Sequence, residues 1–481
     1  MSTKALPKFP RTIVLFGVPF HDVTMAETLD WIDGLVAARR PAYLVTANMD
    51  FAAQASGDVE LQRILVEAEL VVCDGTPLVW ASRLTGKPLR ERVAGSDLVP
   101  RLAARAEKMG HRLFLLGGDP DSLEKAAHNL QESYPGLKTI HCYSPPYAPL
   151  HEFDNQAIIE RIQMAKPDIV LVAFGCPKQE KWIYMHYRRL GIPCCIGVGA
   201  TVDFLAGKVS RAPSLVSKLG LEWVFRMVQE PKRLAGRYGK DLLFLARQLV
   251  RESRAIHAGN AEPDTPEASD PPQIDGLELV RWQGALTADR LDQLPMPTLT
   301  GPFGIDLSAV TRIDSSGLGW MLRLIREAWK SDVSGCFLAP TKAVRTVIAM
   351  SRLERILPIA ESPDEGALMV ARDMAAARLR PIVNDSGQML LFTLPLRLTS
   401  GNAENCGQSI RQEWERRPGI VELVLDLGET KFMDSSGLGF LLHVHRLAGQ
   451  RSGGRMRLVN IQDNIRNVIH VARLQNLLLN Q

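Results

Sequence analysis

A ten-residue string that appears twice sets the strongest limit on how this chain can fold. Val310-Thr-Arg-Ile-Asp-Ser-Ser-Gly-Leu-Gly319 recurs as Thr430-Lys-Phe-Met-Asp-Ser-Ser-Gly-Leu-Gly439. Each copy follows a short apolar run, Phe303 to Leu307 and Val421 to Leu427, and each precedes a helix-like stretch. Further on, Arg345-Thr-Val-Ile-Ala-Met-Ser-Arg-Leu353 is paralleled by Arg466-Asn-Val-Ile-His-Val-Ala-Arg-Leu474. A duplication of this reach implies two homologous domains, with a boundary near Arg378 to Asp385. Gly259 to Pro272, rich in Pro, Asp, Glu, Ala and Ser, reads as a flexible linker from the first half. The expected division is residues 1–255, a linker over 256–272, and two small domains at 273–380 and 384–481.

With 481 residues, 46% of them apolar, the chain can bury several separate cores. A formal net charge of +4 gives no reason to expect nucleic acid as a partner, so any basic surface must be local. The seven cysteines form no CxxC pair and no metal-ligand spacing with histidine, and read as buried thiols in a reducing compartment. The first residues lack an apolar stretch of signal-peptide length, and no run of eighteen apolar residues occurs. The expectation is a cytoplasmic protein, soluble or peripheral to a membrane.

In the first half, the runs Thr12 to Phe16, Ala42 to Thr46, Leu70 to Cys73, Arg112 to Leu116, Ile169 to Phe174 and Cys194 to Val198 alternate with amphipathic stretches. That alternation predicts a Rossmann-like α/β fold on a largely parallel sheet, with chemistry at the carboxyl ends of the strands. The strand ends carry Thr46-Ala-Asn48-Met-Asp50, Cys73-Asp74-Gly75, Arg92-Val-Ala-Gly95-Ser-Asp97, Gly117-Gly118, Gly175-Cys-Pro-Lys-Gln179-Glu180-Lys-Trp182, and a run from Gly197-Val-Gly199 to Pro213. Glycine pairs such as Gly117-Gly118 let backbone amides approach a phosphate, although singly each is more often a tight turn. Several on one rim favour a diphosphate-bearing ligand. The plain structural alternatives are a strand-end turn at Asp74-Gly75, a helix cap at Asp97 and a core anchor at Trp182, the better role for Trp182.

The strings Gly175 to Trp182, Gly197 to Pro213, and Gly220-Leu-Glu-Trp223 through Glu230-Pro231-Lys-Arg233-Leu to Arg237-Tyr238 closely resemble the WecG/TagA/CpsF glycosyltransferase family, over about residues 10–245. The resemblance implies inverting transfer of an N-acetylmannosamine-type sugar, or its uronate, from a UDP donor to an undecaprenyl-diphosphate-linked saccharide, with no cofactor and no essential metal. It implies Asp74 as the general base, Arg92 and Gln179 as further catalytic ligands, and Thr46 and Asn48 beside a sugar. Gly117, Gly118 and Gly199 would line the phosphate-binding rim. An inverting displacement needs one carboxylate near the incoming hydroxyl and cationic or amide donors near the departing diphosphate, which suits Asp74 and Arg92. Asp119-Pro-Asp121 looks like the metal-binding DxD of other glycosyltransferases, but Asp-Pro after Gly-Gly is a good helix start, and the resemblance is to a metal-independent class.

From Lys218 to Arg254 basic residues outnumber acidic ones and are interleaved with Trp223, Phe225, Leu242, Leu243, Phe244, Leu245 and Leu249. Such a basic amphipathic helix suits an anionic membrane surface at the inner face of the cytoplasmic membrane; the commoner arrangement is a core-packing helix with a solvated face. The resemblance implies that this tail closes over the active site, with Arg226, Arg233 and Arg237 reaching the diphosphate.

Each Asp-Ser-Ser-Gly follows a strand and opens a helix, so the plainest role of Ser315, Ser316, Ser435 and Ser436 is capping. A serine there is also placed where a phosphate, bringing about −1.5 to −2 charge, is favoured by the helix dipole. The motif and its flanks resemble STAS domains, the anti-sigma-factor antagonist fold. That resemblance implies Ser315 and Ser435 as phosphoacceptors beside Asp314 and Asp434, and an anti-sigma-type serine kinase or another STAS-binding protein as partner. Passive scaffolding is the alternative for these domains. For the whole chain, the alternative is a catalytically inactive regulator that senses a nucleotide sugar.

Overall fold

A computed structural model describes residues 10–209, 222–229, 231–258, 277–331, 333–376, 381–383, 388–399, 402–472 and 474–479. The expected linker 259–272, the string from Arg211 to Pro213 and most of the expected boundary around 378–385 lie outside the described residues.

The first domain begins with β1 (Thr12–Leu15), β2 (Val18–His21), α1 (Met25–Ala38), β3 (Tyr43–Ala47), α2 (Met49–Ala55) and α3 (Val59–Glu67). It continues with β4 (Leu70–Cys73), α4 (Thr76–Leu84), α5 (Gly95–Met109), β5 (Leu113–Leu116), α6 (Pro120–Ser133), β6 (His141–Tyr143) and α7 (Asn155–Ala165). Then come β7 (Ile169–Val172), α8 (Lys178–Leu190), β8 (Cys194–Gly197), α9 (Thr201–Leu205), α10 (Glu222–Gln229) and α11 (Pro231–Ala258). Six strands form one sheet in the order β4-β3-β8-β7-β5-β6, parallel throughout.

Alternation along each strand divides the core into two layers. Tyr43, Val45, Val71, Cys73, Phe114, Leu116, Val170, Val172 and Cys195 face one side. Leu44, Leu70, Val72, Leu113, Leu115, Ile169, Leu171, Cys194 and Ile196 face the other. Both faces are covered, which is why these strands read as continuous apolar runs. The run at Thr12 departs from expectation. β1 stays outside the parallel sheet and pairs antiparallel with β2, because Phe16 and Gly17, both at positive φ, turn the chain back at once.

Helix α11 extends to Ala258, so the linker expected from residue 256 starts within its last turn. Phe244, Leu245 and Leu249 pack on the sheet core, Phe244 edge-on to Phe16 at 6.1 Å, while Leu242, Leu243 and Val250 are exposed. The tail therefore combines a core-packing face with an exposed apolar one. No helix among the described residues is long and apolar enough to cross a membrane.

The first repeat contains β9 (Glu278–Leu286), β10 (Phe303–Ile313), α12 (Ser315–Lys330), β11 (Gly335–Leu338), α13 (Lys342–Met350), β12 (Ile359–Ala360) and α14 (Pro363–Ala376), on a parallel sheet ordered β12-β11-β10-β9. The second contains β13 (Ile382–Val383), β14 (Met389–Thr393), β15 (Arg397–Leu398), α15 (Ala403–Arg416), β16 (Glu422–Asp426), β17 (Phe432–Met433), α16 (Ser435–Gly449), β18 (Arg455–Val459), α17 (Asp463–Val471) and α18 (Gln475–Leu478). Its sheet is β13-β14-β16-β18, with β15 and β17 as a separate parallel pair.

In both repeats the capping expectation needs correcting. The caps are Asp314 and Asp434, and the serines occupy the first two helical positions. Asp314 Oδ1 accepts from the amides of Ser316 and Gly317 at 2.7 and 2.9 Å, and Asp434 Oδ1 does the same for Ser436 and Gly437 at 2.8 and 3.0 Å. A carboxylate gains from the helix dipole as well as from the hydrogen bonds, so it outcompetes a neighbouring hydroxyl for the cap.

Candidate active site

The sheet delivers Thr46, Asp74, the Gly175 loop and Gly197–Gly199 to one rim, at the carboxyl ends of adjacent parallel strands. Thr46, the penultimate residue of β3, is nearly buried, and its Oγ1 donates to the carbonyl of Gly197 at 3.1 Å, tying β3 to β8. Asp74 follows β4 directly, anchored by its amide on the carbonyl of Ala47 at 2.8 Å. The amide of Val93 on the carbonyl of Cys73, also 2.8 Å, lays the segment from Arg92 to Gly95 beside it. The Gly95 amide then donates to Asp74 Oδ2 at 3.2 Å.

Gly95 sits at a close approach, where a side chain would be tight. A Cβ there would stand 3.2 Å from Thr201 Oγ1, 3.5 Å from Thr46 Oγ1 and 3.9 Å from Asp74 Oδ2. Two hydroxyls, a carboxylate and a helix N-terminus therefore surround one point, since Gly95 opens α5. Negative charge is favoured at such a position. Arg92 is ion-paired with Asp97 at 2.6 Å, its side chain 22% exposed. Asp97 is not the cap of α5; that position is Ala94, and Asp97 lies in the first turn, where it orients Arg92.

Gln179 is nearly buried in the first turn of α8 and acts as a brace. Its Oε1 accepts from the amides of both Gly175 and Gly199, each at 3.1 Å, so one side-chain oxygen holds two glycine loops. Its Nε2 donates to Glu180 Oε1 at 2.7 Å. Burial pushes the Glu180 carboxyl up to about 8, so the neutral acid is the dominant form at neutral pH. A Cβ on Gly197 would come within 2.6 Å of Gln179 and 2.7 Å of Glu180. Trp182 is fully buried, its Nε1 donating to Asn155 at 2.9 Å, as a core anchor should be.

Asn48 caps α2, accepting from the Phe51 amide at 3.2 Å. Gly117 and Gly118 both turn at positive φ after β5, and a Cβ on Gly117 would strike the Phe174 ring at 2.5 Å. Asp119 holds the cap position of α6 with Pro120 as first helical residue, and its carboxylate pairs with Lys208. No cluster of three or more His, Cys, Asp or Glu suited to a metal occurs among the described residues. Of the tail arginines, Arg237 approaches Asp50 of α2 at 3.9 Å, beside the Asn48 end of the rim. The side chains of Arg226 and Arg233 lie outside the described residues. Asp241, one turn beyond Arg237, is raised to about 6 by burial and by Asp50.

Gly95, Thr201, Glu180 and Asp50 thus belong to the site although only their motifs, not their roles, were legible. The signal for Gly95 and Thr201 is their place immediately after strand-end segments, where parallel sheets present ligand contacts.

Comparison with known proteins covers both halves of the chain. The description glycosyl transferase WecG/TagA/CpsF family matches residues 13–258, and STAS domain matches 241–366 and 380–480. An N-acetylglucosaminyldiphosphoundecaprenol N-acetyl-beta-D-mannosaminyltransferase of Staphylococcus aureus (strain MW2) is 31% identical over 222 residues, 46% of this chain and 85% of that protein. The protein of the same description from strain COL is also 31% identical over 222 residues, with the same coverage. A solved structure of the anti-sigma factor antagonist SpoIIAA in its unphosphorylated form is 20% identical, covering 21% of this chain and 86% of its own, with a TM-score of 0.19.

Proposed function

The chain belongs to the glycosyl transferase WecG/TagA/CpsF family and carries two STAS domains, and from that premise we propose that it transfers an N-acetylmannosamine-type sugar, or its uronate, from a UDP donor to an undecaprenyl-diphosphate-linked saccharide. The observation that carries the reading is the convergence of Thr46, Asp74, Gly95 and Thr201 on one point of the strand-end rim. Asp74 accepts the proton of the acceptor hydroxyl as that oxygen attacks the anomeric carbon from the face opposite the departing UDP, which gives inversion. The Gly95 amide orients the carboxylate.

Arg92, held by Asp97, and Arg237, at the α2 rim, offer positive charge to the diphosphate as it leaves. Gln179 keeps the Gly175 and Gly199 loops in place without charge of its own. Thr46 and Asn48 face the sugar, and Gly117 and Gly118 open the rim to phosphate. Metal independence is part of the proposal and predicts an unchanged rate in EDTA. The exposed Leu242, Leu243 and Val250 on α11 support seating on the inner membrane surface, where a lipid-linked acceptor resides.

Asp74→Asn is the direct test. UDP release from UDP-N-acetylmannosamine with a lipid-diphosphate acceptor should fall by about 10²–10⁴-fold, the usual range for a lost general base, while donor binding stays near wild type. Normal turnover by this variant would refute Asp74 as the base, and UDP release by the wild-type chain separates an enzyme from a sensor.

A further inference from the structure

Both STAS domains touch one stretch of the catalytic domain, residues 56–69, although the first also packs on the β1 hairpin and the second on α8. From the first, Arg326 of α12 donates to the carbonyl of Ala68 at 2.8 Å and Lys330 pairs with Glu69 at 2.8 Å. Arg352 donates to the carbonyl of Ser56 at 2.6 Å, and Gln62 donates to the carbonyl of Arg352 at 3.1 Å. From the second, the amide of Ser435 at the start of α16 donates to Glu60 Oε1 at 2.5 Å. Arg63 is nearly buried between them, its guanidinium 4.9 Å from the ring centre of Trp329 and 5.4 Å from that of Phe432, with Thr399 as a further acceptor.

This stretch leads straight to the site. α3 passes through Ala68 and Glu69 into β4, which ends at Cys73, immediately before Asp74. Glu60 also reaches sideways: its Oε2 pairs with Lys181 at 2.9 Å, on α8 two residues beyond Gln179. One carboxylate therefore touches both the N-terminus of α16 and the helix that braces the glycine loops.

We infer that the catalytic domain is itself the partner of the serine-bearing faces of both STAS domains, and that Glu60 occupies the place at the start of α16 that negative charge on Ser435 would need. Charge at Ser435 and docking on α3 oppose each other, because the N-terminus of α16 already holds Asp434 and Glu60 at hydrogen-bond distance and a third anion there is repelled by both. Ser435 borders a cleft of about 970 Å³ at the three-domain seam, together with Glu60, Arg63, Lys181, Arg397 and Lys431, so added charge has room there. Ser315 and Ser316, 5% and 3% exposed, have none. Release of α3 is felt at Asp74 through β4 and at Gln179 through Lys181, which makes Glu60 a positioning residue. The effect on transfer rests on the proposed function; the docking does not.

Ser435→Glu in the full chain tests both parts. Hydrogen exchange at residues 59–67 should speed up by about tenfold, the scale of one lost charge-assisted hydrogen bond. The kcat for UDP release should change severalfold at constant KM for the donor. Ser435→Ala should leave exchange and kcat as in wild type, and adding Glu60→Gln to Ser435→Glu should restore both. Wild-type exchange in Ser435→Glu overturns the docking inference, as does failure of Glu60→Gln to rescue. Faster exchange with unaltered kcat overturns the link to Asp74 and Gln179. Absence of transfer by the wild type would overturn the enzymatic reading instead, while the exchange measurement still decides the docking.

Discussion

In the first STAS domain Gly319 lies against the backbone of Thr12, where a Cβ would sit 2.7 Å from the carbonyl oxygen; in the second, Gly439 occupies the same place in the motif and meets nothing within 4 Å. The two Asp caps are nearly superposable in their hydrogen bonds, so the motif builds the same helix start twice. What differs is the cover. The β1 hairpin closes over α12, with Arg11 Nε donating to Ser316 Oγ at 3.4 Å, whereas Ser435 and Ser436 remain partly accessible along two clefts. One copy serves as a fixed mount and the other keeps a reachable face. Sequence identity within a repeat therefore says little about whether both copies can respond.

The largest test of that contrast acts where the two copies meet. Arg63→Leu removes the shared guanidinium and takes from buried Glu67 its ion-pair partner at 2.6 Å, leaving it the Tyr184 hydroxyl at 2.9 Å and the field of Arg188. Stranding a buried charge in this way should cost about 3–5 kcal/mol, read as a lower urea midpoint of the full chain.

A glycine pair comes next. Gly319→Ala should destabilise by about 1–3 kcal/mol, since the added methyl meets backbone that cannot move aside. Gly439→Ala should stabilise by up to about 1 kcal/mol, because alanine is the better helix former at an open position. Equal effects would mean the two seams are alike.

The smallest effect is that of mild acid on the first seam. His21 accepts the Val71 amide at 2.9 Å, and burial, then Arg326, lowers its pKa from 6.5 to about 3; Glu69 opposes this and Lys330 adds to it. The unfolded chain binds the extra proton first, so this contribution to stability is present above pH 6.5 and is lost as pH falls toward 3. Between pH 6.5 and 5.5 the loss should be roughly 1 kcal/mol, absent in His21→Asn and measurable by thermal unfolding.

The strands were legible wherever both faces of the sheet are buried. Leu70 to Cys73 is read without error because burial on both faces leaves an uninterrupted apolar run. β1 was legible as a strand but not as an outsider to the sheet, since pairing partners leave no mark in a four-residue run. Asp74, Thr46 and Gln179 were recognisable as motif residues; that Gln179 braces two loops needed coordinates. The docking of the STAS domains was not legible. α3 buries Gln62 and Arg63 against Arg352, Trp329, Thr399 and Phe432, neighbours about 260 to 370 positions away whose approach no local periodicity records.

Val14 and Val66, residues of the catalytic domain, count among the interior of the first STAS domain alongside Trp282, Leu318 and Leu322. A gene cut after the long helix would therefore bare Val14 and Val66, so the edge of the family match is not an edge of the packed core. In this chain the unit that packs is larger than the unit that the family description delimits.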